Sequence, residues 1–274
     1  MTSAPTQVVA LTKVAGATET WRLFLPQTMI QTKRLLMRWW RDPLTIIQSL
    51  AFPALLLIML NTILGRQISS FAGSNALYGS VPMVSLVGVM AGSVAGAVTL
   101  GSERDQGLLA RFWVLPVHRA SGLAARIVAE GVRILACTLV LFAVGVALGF
   151  RFERGAAAGI ALLGVPMLFG LAFATMVTAV AVFSAKAALV EAVSLGSSLL
   201  MFFCTGFVPL IAYPAWAQPI VKHQPMTYAI DAMRGLSLGG PVRTPLLATI
   251  AWSVGAIVVF AIPAALGYRR ASRA

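Results

Sequence analysis

VPMVSLVGVMAGSVAGAVTL, residues 81–100, runs directly into GSERDQGLLARFWVLPVHRASG, residues 101–122. The first stretch has no charged side chain and is long enough to cross a bilayer, whose core of about 30 Å takes roughly 20 apolar residues of helix. The second crowds Glu103, Arg104, Asp105, Arg111, His118 and Arg119 together before another apolar run opens at 122. A charged segment held between two crossings must lie at a membrane face, and the rest of the chain is read outward from it.

The whole chain is oily: 274 residues, 59% hydrophobic and only 11% charged, with a mean hydropathy of +0.88. Too little polar surface remains to cover a water-soluble core, so the chain is expected to be an all-α polytopic membrane protein. A net charge of +13 could suggest nucleic acid, but most Lys and Arg flank apolar runs, as cytoplasmic loops do, rather than a folded basic surface. No nucleic-acid partner is expected. Cys137 and Cys204 lie inside apolar runs, and His118 and His223 lack nearby carboxylates or thiols, so neither a disulfide framework nor a metal site is expected. The opening forty residues lack the apolar core and small-residue cleavage site of a signal peptide.

Six apolar runs, near 44–64, 82–100, 122–149, 156–183, 187–209 and 246–267, predict six spans. Residues 1–26 read as a cytoplasmic tail, 27–43 as an amphipathic helix, 44–267 as the six-span domain and 268–274 as a second tail. In 27–43, Arg34, Arg38 and Arg41 share a face opposite Trp39 and Trp40, which suits a helix anchored in the membrane interface; a helix packed on a partner is the alternative. Pro53 predicts a kink in the first span. Gly88, Gly92 and Gly96 leave one face of the second almost bare, as for a tightly packed neighbouring helix. Residues 65–81 read as a polar loop. Fourteen of the twenty-one Lys and Arg fall on the side of the termini and six on the other, with Arg133 inside a run, which places both termini in the cytoplasm. Four prolines between 209 and 225 forbid a span there, and a pair of short helices entering the outer leaflet is expected, with an ordinary external loop as the alternative.

Residues 103–115 fit one amphipathic helix, with Glu103, Arg104 and Arg111 wet and Pro116 as its stop. Glu103 and Asp105 would be unfavourable against anionic headgroups, which favours docking to a protein carrying both signs of charge. ERDQG (103–107) with LLARFWVLPVHR, RDPLTIIQSLAFPALLL (41–57) and QPMTYAIDAMRGL (224–236) together resemble the signatures of the six-span exporter-type ABC permeases, of the daunorubicin-resistance, DrrC-like kind. The resemblance implies ATPase coupling through Glu103, Arg104, Asp105, Gly107 and Arg111, and an outer-leaflet gate at Pro225, Tyr228, Asp231 and Arg234. It further implies a dimer of ATPase subunits carrying ATP and Mg, a second, non-identical permease, a place in the inner cell membrane, and a hydrophobic or lipid-like cargo such as a drug or phthiocerol dimycocerosate. In place of the family's frequent Asn before Pro225 stands Gln224, a poorer helix cap.

The chain has no catalytic constellation, and no nucleotide loop either: Gly-Lys must precede Ser or Thr to cradle phosphates, and none of Lys13, Lys33, Lys186 and Lys222 follows a glycine. Two rivals remain. An ion-gradient transporter would use the acids Glu130 or Glu191, each of which also fits a local ion pair with nearby Arg or Lys. A non-transporting scaffold would use the docking segment alone.

Overall fold

A computed structural model describes residues 24–72, 75–107, 121–183 and 187–271, and among these every regular element is helical. The first helix, α1 (Phe24–Arg41), ends at Asp42. Asp42 then caps the next helix: its carboxylate accepts from the Leu44 and Thr45 amides and, at 2.6 Å, from the Thr45 hydroxyl, while Pro43 fills the first helical position. That hydroxyl, with the amides, holds the Asp42 carboxyl below its usual range.

The first span is α2 (Pro43–Ile46), a π turn (Ile47–Ala51), α3 (Phe52–Met59), a second π turn (Leu60–Leu64) and α4 (Gly65–Ala72). A proline ring collides with the carbonyl four residues back, here Ser49, and the wide π turn just before Pro53 relieves that crowding. The expected kink therefore takes the form of a π turn. The Ser49 carbonyl lies against Gly88, where an added Cβ would stand 2.8 Å away, so glycine there lets two backbones meet.

The remaining elements are α5 (Leu77–Asp105), α6 (Ser121–Ala147), α7 (Gly155–Phe183), α8 (Ala187–Phe202), a 3₁₀ turn (Leu210–Ala212), α9 (Gln218–His223), α10 (Pro225–Leu238) and α11 (Arg243–Ala271). The expected loop at 65–81 is mostly helix. Asn75 accepts from the Leu77 amide and starts α5 five residues before Pro82. Leu77 to Leu86 are all buried, and that packing outweighs the proline as a start signal. Pro82 sits inside the helix. α11 likewise runs on to Ala271, past the expected start of a tail at 268.

Among the described residues five helices are long and apolar enough to cross a membrane: Pro43–Ile63, Leu77–Asp105, Ser121–Ala147, Ala157–Val182 and Arg243–Gly267. The fifth apolar run, expected to span over 187–209, is helical only as α8, whose 16 residues reach about 24 Å. It stops because its last carbonyls are taken by other side chains. Gln224 Nε2 donates to the Leu200 and Phe203 carbonyls, and the Tyr213 hydroxyl donates to Phe202 and Cys204. Gln224 thus closes the end of α8 and makes no side-chain cap for α10, which starts on Pro225 instead. Cys204, in the turn after α8, is buried, and that burial pushes its thiol up to about 11.

α5 forms the centre of the bundle, packed by the first span, α6, α7, α8 and α10, while α11 lies against α7 with Val254, Val258, Val259 and Ile262 exposed on its outer side. Residues that meet across helices define two ends. One brings together 31–38, 103–107, 121–126 and 182; the other brings together 76–79, 149–154, 203–206 and 231–237.

Candidate functional site

At the first end α1 lies along the start of α6, where the small side chains Thr28 and Thr32 are buried and the Thr32 hydroxyl donates to the Ala125 carbonyl. Close packing needs such small residues. The expected split of α1 into basic and aromatic faces becomes three faces. Trp39 turns inward, with its indole N–H buried and without a partner among the described residues; Trp40, Met29 and Ile30 are exposed; Arg34 and Arg41 point outward. Arg38 leaves the basic face to pair with Glu103 at 2.7 Å.

Glu103 is a correction. Expected in water at the start of a separate helix, it lies in the last turn of α5, its side chain 5% exposed, clamped between Arg38 and, at 2.6 Å, Arg126 of α6. A buried carboxylate needs such partners. Arg104, also expected wet, is half-buried and donates to the Val182 carbonyl at 3.1 Å, which caps the end of α7. Asp105 and Gly107 are exposed, and Gly107 closes α5 with φ +67°, a left-handed conformation suited to glycine. Arg111 and the rest of the segment expected to be helical to 115 lie outside the described residues.

A second charged layer stands deeper. Arg133 of α6, its side chain 5% exposed, pairs with Glu130 at 2.5 Å and donates to the Ser93 hydroxyl at 2.9 Å. Ser93 is ten residues before Glu103 on α5, which puts the guanidinium about 15 Å further into the bundle. This layer explains two of the three spaced glycines differently from a bare helix contact. A Cβ on Gly92 would collide with the Arg133 guanidinium, and one on Gly96 would stand 2.8 Å from a Glu130 carboxylate oxygen. The glycine face of α5 therefore houses an ion pair, and only Gly88 serves a backbone approach.

Between the two layers is a polar cavity of about 70 Å³, lined in part by Arg38, Trp39, Asp42, Arg126, Glu130 and Arg133. The unpartnered Nη1 of Arg133 and Nε1 of Trp39 belong to residues that line it. The space is large enough for water, and its polar wall would hold it. Three arginines and two acids line it, and Glu103, paired with Arg38 and Arg126 beside it, brings the charges into balance.

The other end joins α5, α10 and the 203–208 turn. Asp231 accepts from the Thr205 hydroxyl at 2.9 Å, Arg234 donates to the Thr205 carbonyl at 2.7 Å, and the two side chains stand 3.6 Å apart. Gly79 passes under this clasp: a Cβ there would lie 2.6 Å from the Gly206 carbonyl and 2.8 Å from Arg234 Nη2. Pro225 and Tyr228 are half-buried on the same helix. Beside them the Tyr78 hydroxyl donates to Glu153 at 3.0 Å, and Tyr78, Phe142, Phe150 and Phe152 make a chain of ring contacts with centroids 5.1 to 6.4 Å apart. The covered backbone of α10, with Met226, Ala229, Ile230 and Met233 buried, is what a non-spanning helix within a membrane requires.

Sequence reasoning named Glu103, Asp231 and Arg234 as site residues and missed their partners Arg126 and Thr205, as well as Ser93, which accepts from Arg133, and the hold of Gln224 on the end of α8. One signal was available for the deep layer: a run of small residues, Gly92, Ser93 and Gly96, on one span, facing Glu130 and Arg133 on the next.

Comparison with known families matches residues 26–238, from within α1 to the end of α10, to the ABC-2 type transporter family. The chain belongs to that family. This ABC-2 permease is 47% identical over 264 residues, 96% of each chain, to the probable doxorubicin resistance ABC transporter permease protein DrrC of Mycobacterium tuberculosis, in both the CDC 1551 / Oshkosh and ATCC 25618 / H37Rv strains. It is 26% identical over 277 residues, 95% of each chain, to the daunorubicin resistance ABC transporter permease protein DrrB1 of Streptomyces coeruleorubidus. The ABC-2 permease is a multi-pass membrane protein with no nucleotide-binding motif in its own sequence, and membership of the family implies partnership with an ATPase subunit.

Proposed function

We propose that this chain is the permease half of an exporter in which separate ATPase subunits, carrying ATP and Mg, drive hydrophobic drugs of the doxorubicin and daunorubicin kind out through the inner cell membrane. The observation that carries the reading is the ABC-2 match over residues 26–238 in a chain whose lysines never follow glycine. α8 completes a sixth crossing: it is short, yet it starts beside the end of α7 and its far end is held by Gln224 and Tyr213 at the opposite face. With six crossings both termini share one side, and the excess of Lys and Arg there supports a cytoplasmic side.

The ATPase then docks at the end that carries the exposed Asp105 and Gly107, with Arg111, outside the described residues, as a further contact. Glu103 and Arg104 act from behind that surface, tying it to α1, α6 and α7. Pro225, Tyr228, Asp231 and Arg234 border the outer leaflet, where the Thr205 clasp would open for release. Arg34, Arg41 and Trp40 anchor α1 in the headgroup layer. A second permease, a non-identical relative, completes the pathway.

Inverted membrane vesicles containing the chain with its ATPase and permease partners test this. Doxorubicin uptake that needs ATP and stops with a hydrolysis-dead ATPase is the expected result. Uptake that persists without ATP and collapses with the proton gradient would overturn it in favour of an ion-coupled transporter. Asp105→Arg is expected to lower drug-stimulated ATP turnover several-fold at unchanged melting temperature, since the residue is exposed and lies at the proposed dock.

A further inference from the structure

Between α7, α8, α10 and α11 lies a cavity of about 930 Å³. Its walls are apolar and rich in rings and sulfur: Phe169, Phe173 and Met176 on α7, Met226 on α10, Trp252 and Phe260 on α11. Packed protein interiors hold few voids larger than a water molecule. The space opens to the outside of the bundle, and an apolar cleft of this size within a bilayer is covered by an apolar molecule rather than by water. The space is therefore shaped for an apolar occupant, and its volume falls within the range of small-molecule sites. Aromatic faces and adaptable thioethers favour a flat aromatic ligand, which gains stacking and sulfur contacts that a saturated chain cannot make. Pro225 and Met226 of α10 line the space.

We propose that this cavity, inside a single permease subunit, is a binding site for a planar polycyclic aromatic molecule taken up from the bilayer. The nature of the cargo rests on the exporter reading above; the cavity itself does not. Two glycines make the site testable. Gly196 on α8 and Gly255 on α11 line the cavity, and a Cβ added at either meets nothing within 4 Å. Leucine at both positions starts from open space, favours the helix and narrows the site.

The full chain in lipid nanodiscs is titrated with doxorubicin by equilibrium dialysis, comparing wild type, the Gly196→Leu/Gly255→Leu double variant and Gly164→Leu. Gly164 also has open space around its Cβ position but does not line the cavity. Saturable binding by wild type and Gly164→Leu, weakened at least about tenfold in the double variant at unchanged melting temperature, is expected from loss of the ring contacts. Unchanged affinity in the double variant overturns the proposal. So does native mass spectrometry in which the double variant loses only a bound phospholipid, or loss of association with the second permease, which would make a partner helix the occupant. Absence of wild-type binding while the assembled complex exports doxorubicin sinks the cavity site and leaves the exporter reading standing. Binding in the cavity without ATP-driven uptake does the reverse.

Discussion

The two ends of the bundle are built from different materials. At the Glu103 end three helices are joined by charge, Arg38 and Arg126 on one carboxylate, and a few turns deeper Arg133 pairs with Glu130 on its own helix and reaches Ser93 on the next. At the Tyr78 end a chain of aromatic rings and the Asp231–Thr205–Arg234 clasp hold α5, α6 and α10 together. Ring packing has one best arrangement and resists displacement. Ion pairs in a partly wet pocket can exchange partners when another protein brings its own charges, so the charged end is suited to receive a force and the aromatic end to hold position.

The largest effect expected from breaking that contrast is at Glu130. Glu130→Ala strands the Arg133 guanidinium, only 5% exposed, and is expected to cost about 3–5 kcal/mol in thermal unfolding of the solubilised protein. Adding Arg133→Met should restore much of the loss, because removing both members of a buried pair is often neutral. A double variant as unstable as the single one would mean that Glu130 stabilises by something other than its pair with Arg133. A smaller effect is expected on α5 itself. Gly92→Ala pushes a methyl into the guanidinium and should cost about 1–3 kcal/mol, whereas Gly101→Ala meets nothing within 4 Å and should be neutral or stabilise by up to about 1 kcal/mol. Equal melting temperatures for the two would refute the packing role given to Gly92.

The smallest change belongs to Arg38. Half its side chain, 51%, is exposed and Glu103 keeps Arg126, so Arg38→Ala should cost under about 1 kcal/mol. Its signature is local: faster amide hydrogen exchange through 24–41 as α1 loosens from α6, with no change at 225–238. Exchange that rises equally at both ends would erase the distinction between them.

Much of this was legible beforehand. The all-helical membrane class, α1 and its end at Asp42, a first span disturbed around Pro53, and the short helices over 218–238 follow from hydropathy, proline geometry and amphipathic spacing, whereas the π turn that meets Pro53 does not. The boundaries missed at 65–81 and 187–209 have a common cause. α5 starts early because Leu77–Leu86 are buried by other helices, and α8 stops early because Gln224 and Tyr213 occupy its carbonyls. Neither can be read within a window of neighbouring residues. Glu103 was misplaced in water for the same reason: the partners that bury it lie 65 and 23 residues away. Glu130 was readable as one half of a local pair because Arg133 is a single turn along the same helix; the side chain of Glu191 lies outside the described residues.

By itself the sequence determined that this chain lives in a bilayer, that its helices cross repeatedly, and that it holds no nucleotide loop. Those properties are sums over neighbouring side chains, and such sums survive without knowledge of the fold. Only the tertiary structure decided that Glu103 is clasped rather than wet, that Gly92 and Gly96 shelter an ion pair, and that α7, α8, α10 and α11 border a ring-lined cleft. Ion pairs and cavities depend on atoms a few ångströms apart in space and far apart along the chain, and electrostatic and packing energies fall off too steeply with distance for a linear pattern to carry them.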